Sequence, residues 1–377
     1  MKENHIVLTT INFPSLLREY RRNLLNSGEL DTTKVWIVGD RKTPPSVYDL
    51  AAELTNSGLE TIYLDMARQD EWGKGFPSFY NRIPYNNETR RNIGFLQALQ
   101  EGCSRLISID DDNWPTDDNF ALWHSRTGQE WKDHVVYDES GFLNVCEYIH
   151  FVPSRPIFPR GYPFLLRGAT NNIQHKPLSS AVTVGVTAGL WLREPDIDAT
   201  TWLNGKVEGT GYLGPDVMVL DQSTWSPINT QNTSVVRELI PAYLCVPMGW
   251  DVPGGKIQRY GDIWGGYFLQ SVMSSTKYNI AIGRPLVDHR RNPHNYLDDL
   301  RQEFWGMILT DWLLNLLRSE FKSPEQDICD KVECLAEFLL STGIRNLPSW
   351  CAAEVKEFIE YTAGNLSLWA KVCRQIR

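Results

Sequence analysis

Leu106-Ile107-Ser108-Ile109-Asp110-Asp111-Asp112-Asn113 is the stretch that decides how this chain folds. A short apolar, β-forming run ends in three adjacent carboxylates. Three neighbouring acids repel one another and cannot pack in a core. They make sense where a strand stops at a cleft and a divalent cation neutralises them. Side chains alternate along an extended chain, so Asp110 and Asp112 point to one side and can share a metal. Such a strand end suits an enzyme that holds a nucleotide-sugar diphosphate through Mn²⁺ or Mg²⁺. The competing reading is a solvated acidic turn, which Asp117 and Asp118 would extend.

Working outward, the first hundred residues alternate. Residues 5–10 are β-rich, and 14–26 show helical spacing through Leu16, Leu17, Tyr20 and Leu24. A second strand at 34–38 ends in Gly39-Asp40, a helix follows at 46–57, and a third strand at 59–64. Residues 88–101 carry Ile93, Leu96 and Leu99 at helical spacing, and 105–109 is the fourth strand. Strand–helix alternation predicts a parallel sheet with helices on its faces. Ligands of such sheets sit at the carboxyl ends of the strands, where the three acids, Thr9-Thr10 and Gly39-Asp40 all fall. Residues 140–260 are rich in Pro, Gly, Trp and Tyr, as expected of loops and short strands around a substrate. From 298 the pattern turns helical, with Phe304, Ile308 and Trp312 at four-residue spacing and Leu309, Leu313 and Leu316 alongside. Further amphipathic segments follow near 325–341, 350–363 and 365–376. The expected fold is α/β, a Rossmann-type, mostly parallel sheet with flanking helices. A catalytic domain spans 1–297 and a helical C-terminal subdomain 298–377, with homo-oligomerisation one role for the tail.

Composition excludes several classes. The 377 residues suffice for one large or two modest domains. Asp plus Glu exceed Lys plus Arg, and the net charge of −9 argues against a nucleic-acid partner, which needs a basic face. A single diphosphate needs only a few placed arginines and a metal. The seven cysteines are odd in number, scattered and without a CxxC pair, as expected of reduced thiols in a cytoplasmic protein. The first residues lack the apolar stretch of a signal peptide, and no apolar run is long enough to span a membrane.

Five segments in order resemble the reversibly glycosylated polypeptides, the plant UDP-arabinopyranose mutases. They are 108–112, Arg160-Gly161-Tyr162-Pro163-Phe164-Leu165-Leu166-Arg167, Gly189-Leu190-Trp191-Leu192-Arg193-Glu194-Pro195-Asp196-Ile197-Asp198-Ala199, Arg259-Tyr260-Gly261-Asp262-Ile263-Trp264-Gly265-Gly266, and His289 with Asn292-Pro293. The likeness covers about 100–305. It implies a GT-A-like nucleotide-sugar fold, a divalent metal, UDP-sugar substrates and a self-glycosylated arginine. In that pattern two acids usually precede the Ile-Trp-Gly-Gly run; here Gly261 takes the first place.

The residues can be weighed chemically. As a sugar leaves its diphosphate, C1 becomes electron-poor and a metal on both phosphates stabilises the departing charge. Asp110 and Asp112 would hold it, Asp111 stands beside them, and the resemblance adds His289 as third ligand. Read without the family, His289 is a surface histidine in a basic loop. Arg160 matches the glycosylated arginine of the family. A protonated guanidinium is a poor nucleophile, and a two-point clamp on phosphate or sugar is the alternative, with Arg167 a second candidate clamp. Asp262 could orient a sugar hydroxyl or act as a base. Trp264 and Trp191 are the aromatics singled out for sugar or nucleotide contact. Asp196 and Asp198 either belong to the site or only hold a turn. Asp40 and the backbone near Thr9 suit the nucleoside, while Arg90 and Arg91 open the helix towards a diphosphate. The leading expectation is a metal-dependent UDP-sugar mutase that can glycosylate itself. The alternatives are a metal-dependent glycosyltransferase with an external acceptor and a non-catalytic nucleotide-sugar-binding scaffold.

Overall fold

The computed structural model describes residues 2–116, 120–291 and 295–377. Asp117, Asp118 and the Asn292-Pro293 pair lie outside the described residues. The expected α/β fold is present. Strands β1 (Asn4–Thr9), β2 (Thr33–Val38), β3 (Glu60–Leu64) and β4 (Arg105–Asp110) pair in the order β3-β2-β1-β4, all parallel. Helices α1 (Leu17–Ser27), α2 (Val47–Asn56) and α3 (Arg91–Gln100) connect them. Thr9 pairs with both Val38 and Asp110. The carboxyl ends of β1, β2 and β4 are therefore level, and their next residues form one rim.

Residues 140–260 are more regular than expected. β5 (Val182–Arg193) and β6 (Asn232–Val236) extend the sheet, as does β7 (Tyr278–His289) beyond them. β6 runs antiparallel to β4 and β5, while β5 and β7 are parallel. The sheet is thus parallel from β3 to β4 and mixed beyond them. Valine alternation in β5 was masked by its glycines. A buried helix, α4 (Gly261–Met273), follows the Arg259-Tyr260 turn and was not anticipated, because it is apolar all round rather than amphipathic.

The helical tail begins at Tyr296 with α5 (Tyr296–Ser319), followed by α6 (Ile328–Phe338) and α7 (Ala353–Ile376). The two expected segments at 350–363 and 365–376 are one helix. The buried stripe of α5 runs through Leu309, Leu313 and Leu317, whereas Phe304 is half exposed. The tail is not a core of its own. Leu309, Leu313, Phe358 and Trp369 join the same apolar cluster as the sheet, and the Trp369 indole donates to the Pro241 carbonyl at 2.8 Å. A boundary at 297 therefore separates compositions rather than cores. All seven cysteines are unpaired, and among the described residues no helix is long and apolar enough to cross a membrane.

Candidate active site

At the rim above β1, β2 and β4 two adjoining chambers open, of about 240 and 380 Å³. Glu88, Arg91, Asp110, Asp112 and Arg259 line both. The larger chamber adds Thr9, Asp40 and Asp111, and the smaller adds Arg160, Asp196, Asp262, His289 and Arg291. A cavity of about 680 Å³ elsewhere, beside Arg237 and Lys331, holds none of the residues picked out by sequence.

The acid triplet is built by the end of β4. The short strand Asn113–Pro115 turns back to pair with the end of β7, with Asn113 opposite His289. This pairing brings Asp112 Oδ2 to 3.3 Å from His289 Nε2. Burial lowers the His289 pKa, but the hydrogen bond and charge of Asp112 outweigh it and leave the imidazole above its ordinary value. His289 is thus buried in the cleft rather than free on the surface. Asp110 turns to Arg91, 2.5 Å away. Burial raises the Asp110 pKa, and the neighbouring Asp112 adds to this against the pull of Arg91. Asp111 faces the other chamber, accepting from the Thr10 hydroxyl at 2.5 Å and the Asn12 amide at 3.1 Å.

Among the described residues, no three His, Cys, Asp or Glu side chains are already arranged around a metal. Asp112 Oδ1 and His289 Nδ1 are nevertheless buried without a hydrogen-bond partner. Buried polar atoms are almost always satisfied, so one oxygen of Asp112 and one ring nitrogen of His289 are left with unused ligand capacity. Both suit a divalent cation.

Arg160 sits on the loop after Pro159. Its Nε and Nη2 donate to Asp196 at 2.9 and 3.1 Å, and its Nη1 and Nη2 donate to Asp262 at 3.0 and 2.7 Å. Nη1 also donates to the Arg259 carbonyl. A guanidinium has five N–H donors, and all five are committed to the protein. Burial opposes the charge of Arg160, but the two carboxylates more than restore it and hold its pKa well above normal. In return, despite burial, Arg160 pulls Asp196 down to about 2. In this arrangement Arg160 is a strut that orients two acids; it has no free donor for a clamp, and its charge opposes nucleophilic attack.

The remaining expectations divide. Thr9 and Asp40 line the larger chamber; Asp40 accepts from the Arg41 and Asn87 amides at 2.7 and 3.3 Å. Arg91 is central to both chambers. Arg90 is not: it is fully buried, donating to Gln69 and to the Tyr80 hydroxyl, because a 3-10 turn at Glu88–Arg90 rotates it off the face of α3. Arg167 reaches Asp198 rather than the chambers, and Asp198 caps the helix Ala199–Leu203 through the Thr201 amide at 2.9 Å. Trp191 is core on β5. Trp264 is also core, on α4; its indole bonds Thr310 at 3.0 Å and its ring lies 5.7 Å from that of Phe358. Neither tryptophan can face a sugar, since each is packed on all sides.

Three site residues escaped sequence reading. Arg259 adopts a left-handed backbone (φ 62°) that few non-glycine residues occupy. It is held at 3.0 Å by Glu303 and at 3.4 Å by Asp299 on α5, so a tail helix sets part of the cleft. Arg291, in the basic loop after His289, has a buried, unpartnered Nη1. Glu88 lies in the 3-10 turn. Arg259 stood in a quoted motif and Arg291 in the basic loop after His289, but neither residue type at those positions pointed to a role on its own.

Gly261 explains the missing acid. A Cβ there would stand 2.3 Å from the Val246 carbonyl oxygen, and Val246 N–H donates to the Gly261 carbonyl at 3.0 Å. The same close approach recurs at Gly265 and Gly266, against Leu244 and Ile228. The helix start admits no side chain at 261.

The sequence pattern described as Reversibly glycosylated polypeptide matches residues 63–349. UDP-arabinopyranose mutase 2 of Arabidopsis thaliana is 29% identical over 247 residues, 64% of this chain and 62% of that protein. The probable UDP-arabinopyranose mutase 4 of the same plant is 26% identical over 298 residues, 78% and 74% of the two chains. This chain therefore spans less than two thirds of the first of these relatives. Among solved structures, glucosyl-3-phosphoglycerate synthase from Mycobacterium tuberculosis, in complex with Mn²⁺ and UDP-glucose, aligns with TM-score 0.39 and 12% identity, over 82% of this chain and 79% of that one. The family pattern takes in β4 and its acids, the Arg160–Asp196–Asp262 network and His289, the residues that the fold gathers into one cleft, and by that match this chain belongs to the reversibly glycosylated polypeptide family.

Proposed function

We propose that this protein is a metal-dependent UDP-sugar mutase, interconverting the pyranose and furanose forms of a nucleotide-bound sugar. One observation carries the reading. Asp110, Asp112, His289, Arg91, Asp196 and Asp262 come from strand ends, helix starts and loops up to 198 positions apart, yet line one cleft at the carboxyl edge of the sheet. Relatives named as UDP-arabinopyranose mutases support the substrate class.

Thr9, Asp40 and Asp111 form the rim for the nucleoside, while Arg91 and Arg291 face the diphosphate. Arg291 has a spare guanidinium nitrogen and takes the part expected of Arg90. Asp110, Asp112 and His289 would hold Mn²⁺ or Mg²⁺, which neutralises phosphate charge and eases departure of UDP. Asp196 and Asp262, fixed by Arg160, present carboxylate edges to the sugar hydroxyls.

The test is incubation of the protein and Mn²⁺ with UDP-pyranoses, followed by chromatography. Formation of the furanose isomer without net UDP release is the expected result. Steady UDP production that depends on an added acceptor, with no isomer, would establish a glycosyltransferase instead.

A further inference from the structure

Glu88 stands at the junction of the two chambers, lining both. The six other carboxylates that line them each accept a hydrogen bond or ion pair from another residue, as described above for Asp40, Asp110, Asp111, Asp112, Asp196 and Asp262. Among the described residues, the Glu88 carboxyl accepts from no other residue; its one donor is its own backbone N–H. Glu88 is only partly buried, so its carboxyl is open to whatever occupies the chambers. That suits a proton-transfer group, because no other side chain ties up its lone pairs or its proton.

We propose that Glu88 is the acid–base residue that moves the ring proton of the bound sugar, an inference that rests on the mutase reading. Converting a pyranose to a furanose at C1 breaks the C1–O5 bond and forms a C1–O4 bond. The O4 hydroxyl must lose a proton and O5 must gain one, while UDP leaves C1 and returns to it. Glu88 as carboxylate takes the O4 proton as O4 bonds to C1. As carboxylic acid it then delivers that proton to O5 as the C1–O5 bond breaks, its electron pair going to O5. Substrate and product are isomers, the enzyme ends as it began, and no further reactant is needed.

The surroundings favour both protonation states in turn. Burial and the facing charge of Asp262 push the carboxyl above its usual range, while Arg91 and Arg259 limit the shift. The Cys245 thiol lies close by and, itself raised by burial, is uncharged. A poised carboxyl of this kind is effective because its proton is neither held too tightly nor too loosely.

Positional isotope exchange separates the two halves of the reaction. Scrambling of a bridging ¹⁸O in the UDP-sugar reports cleavage of the C1–phosphate bond, and furanose formation reports the ring proton transfer. Wild type is expected to do both. Glu88→Gln should keep UDP affinity within about twofold and keep exchange, yet lose isomerisation by about 10²-fold or more. Glu88→Asp should recover part of that rate, and the pH profile of kcat/KM should lose its acidic limb in Glu88→Gln alone. Wild-type isomerisation with an unchanged rate and profile in Glu88→Gln would overturn the role of Glu88 while leaving the mutase reading intact. So would loss of exchange together with isomerisation, which would mark a structural residue. A wild-type protein that forms no furanose overturns both.

Discussion

Replacing Arg160 by methionine should cost about 3–5 kcal/mol of folding stability, the range for breaking a buried ion pair and leaving charge behind. Arg160, Asp196 and Asp262 are 8%, 5% and 8% exposed, so solvent cannot take over the lost contacts. The two acids are not equally stranded. Asp196 keeps the Asn229 amide at 2.7 Å, whereas both Asp262 oxygens lose their donor. Arg160→Lys keeps the charge but offers three donors in place of five, and a charged hydrogen bond is worth about 1.5–3 kcal/mol. Its cost should fall near the middle, at roughly 2–3 kcal/mol. Asp262→Asn on the methionine background should restore part of the loss, because it removes the stranded charge. Urea unfolding followed by tryptophan fluorescence measures all four proteins. The acid limb should change as well. Asp196, held at about 2, contributes stability that is present above its ordinary value near 3.8 and is lost as pH falls towards 2. That limb should flatten in Arg160→Met. A methionine variant within about 1 kcal/mol of wild type would refute the strut argument. A glycosyl adduct on wild type that vanishes in Arg160→Met would show that the network opens during turnover.

Three other outcomes are expected. His124 is buried against Thr187, Asn232 and Ser234, and burial lowers its pKa from 6.5 to about 4. The unfolded chain therefore binds the proton first, and stability present above 6.5 falls by about 3 kcal/mol as pH drops towards 4. His124→Gln should reduce that slope in pH-dependent urea melts, leaving the contribution of His5, which is lowered in the same direction to about 4. Asp112→Ala should abolish Mn²⁺-dependent UDP-sugar binding in calorimetry, and undiminished wild-type affinity in EDTA would remove Asp112 and His289 as ligands. Gly261→Asp, which restores the usual family acid, should destabilise by at least about 1–3 kcal/mol; an unchanged urea midpoint would show that the helix start can shift from Val246.

Local chemistry made much of this protein readable. The apolar run into three acids pointed to a strand ending at a cleft, with a solvated turn as the rival, and strand–helix alternation predicted a parallel sheet with its ligands at that edge. Asp110, Asp112, Thr9 and Asp40 were legible because each directly ends or follows a strand. What the sequence left open depended on approach of distant segments. Whether Arg160 has free donors was decided by Asp196 and Asp262, 36 and 102 positions away. His289 reached Asp112 through the antiparallel return of residues 113–115, and Arg259 is aimed by α5. Trp264 read as a sugar platform because an aromatic beside an acid looks the same from sequence whether a ligand or a helix covers it; here Thr310 and Phe358 cover it. Spacing along the chain sets which face a residue takes on its own element. Only packing between elements sets what that face meets.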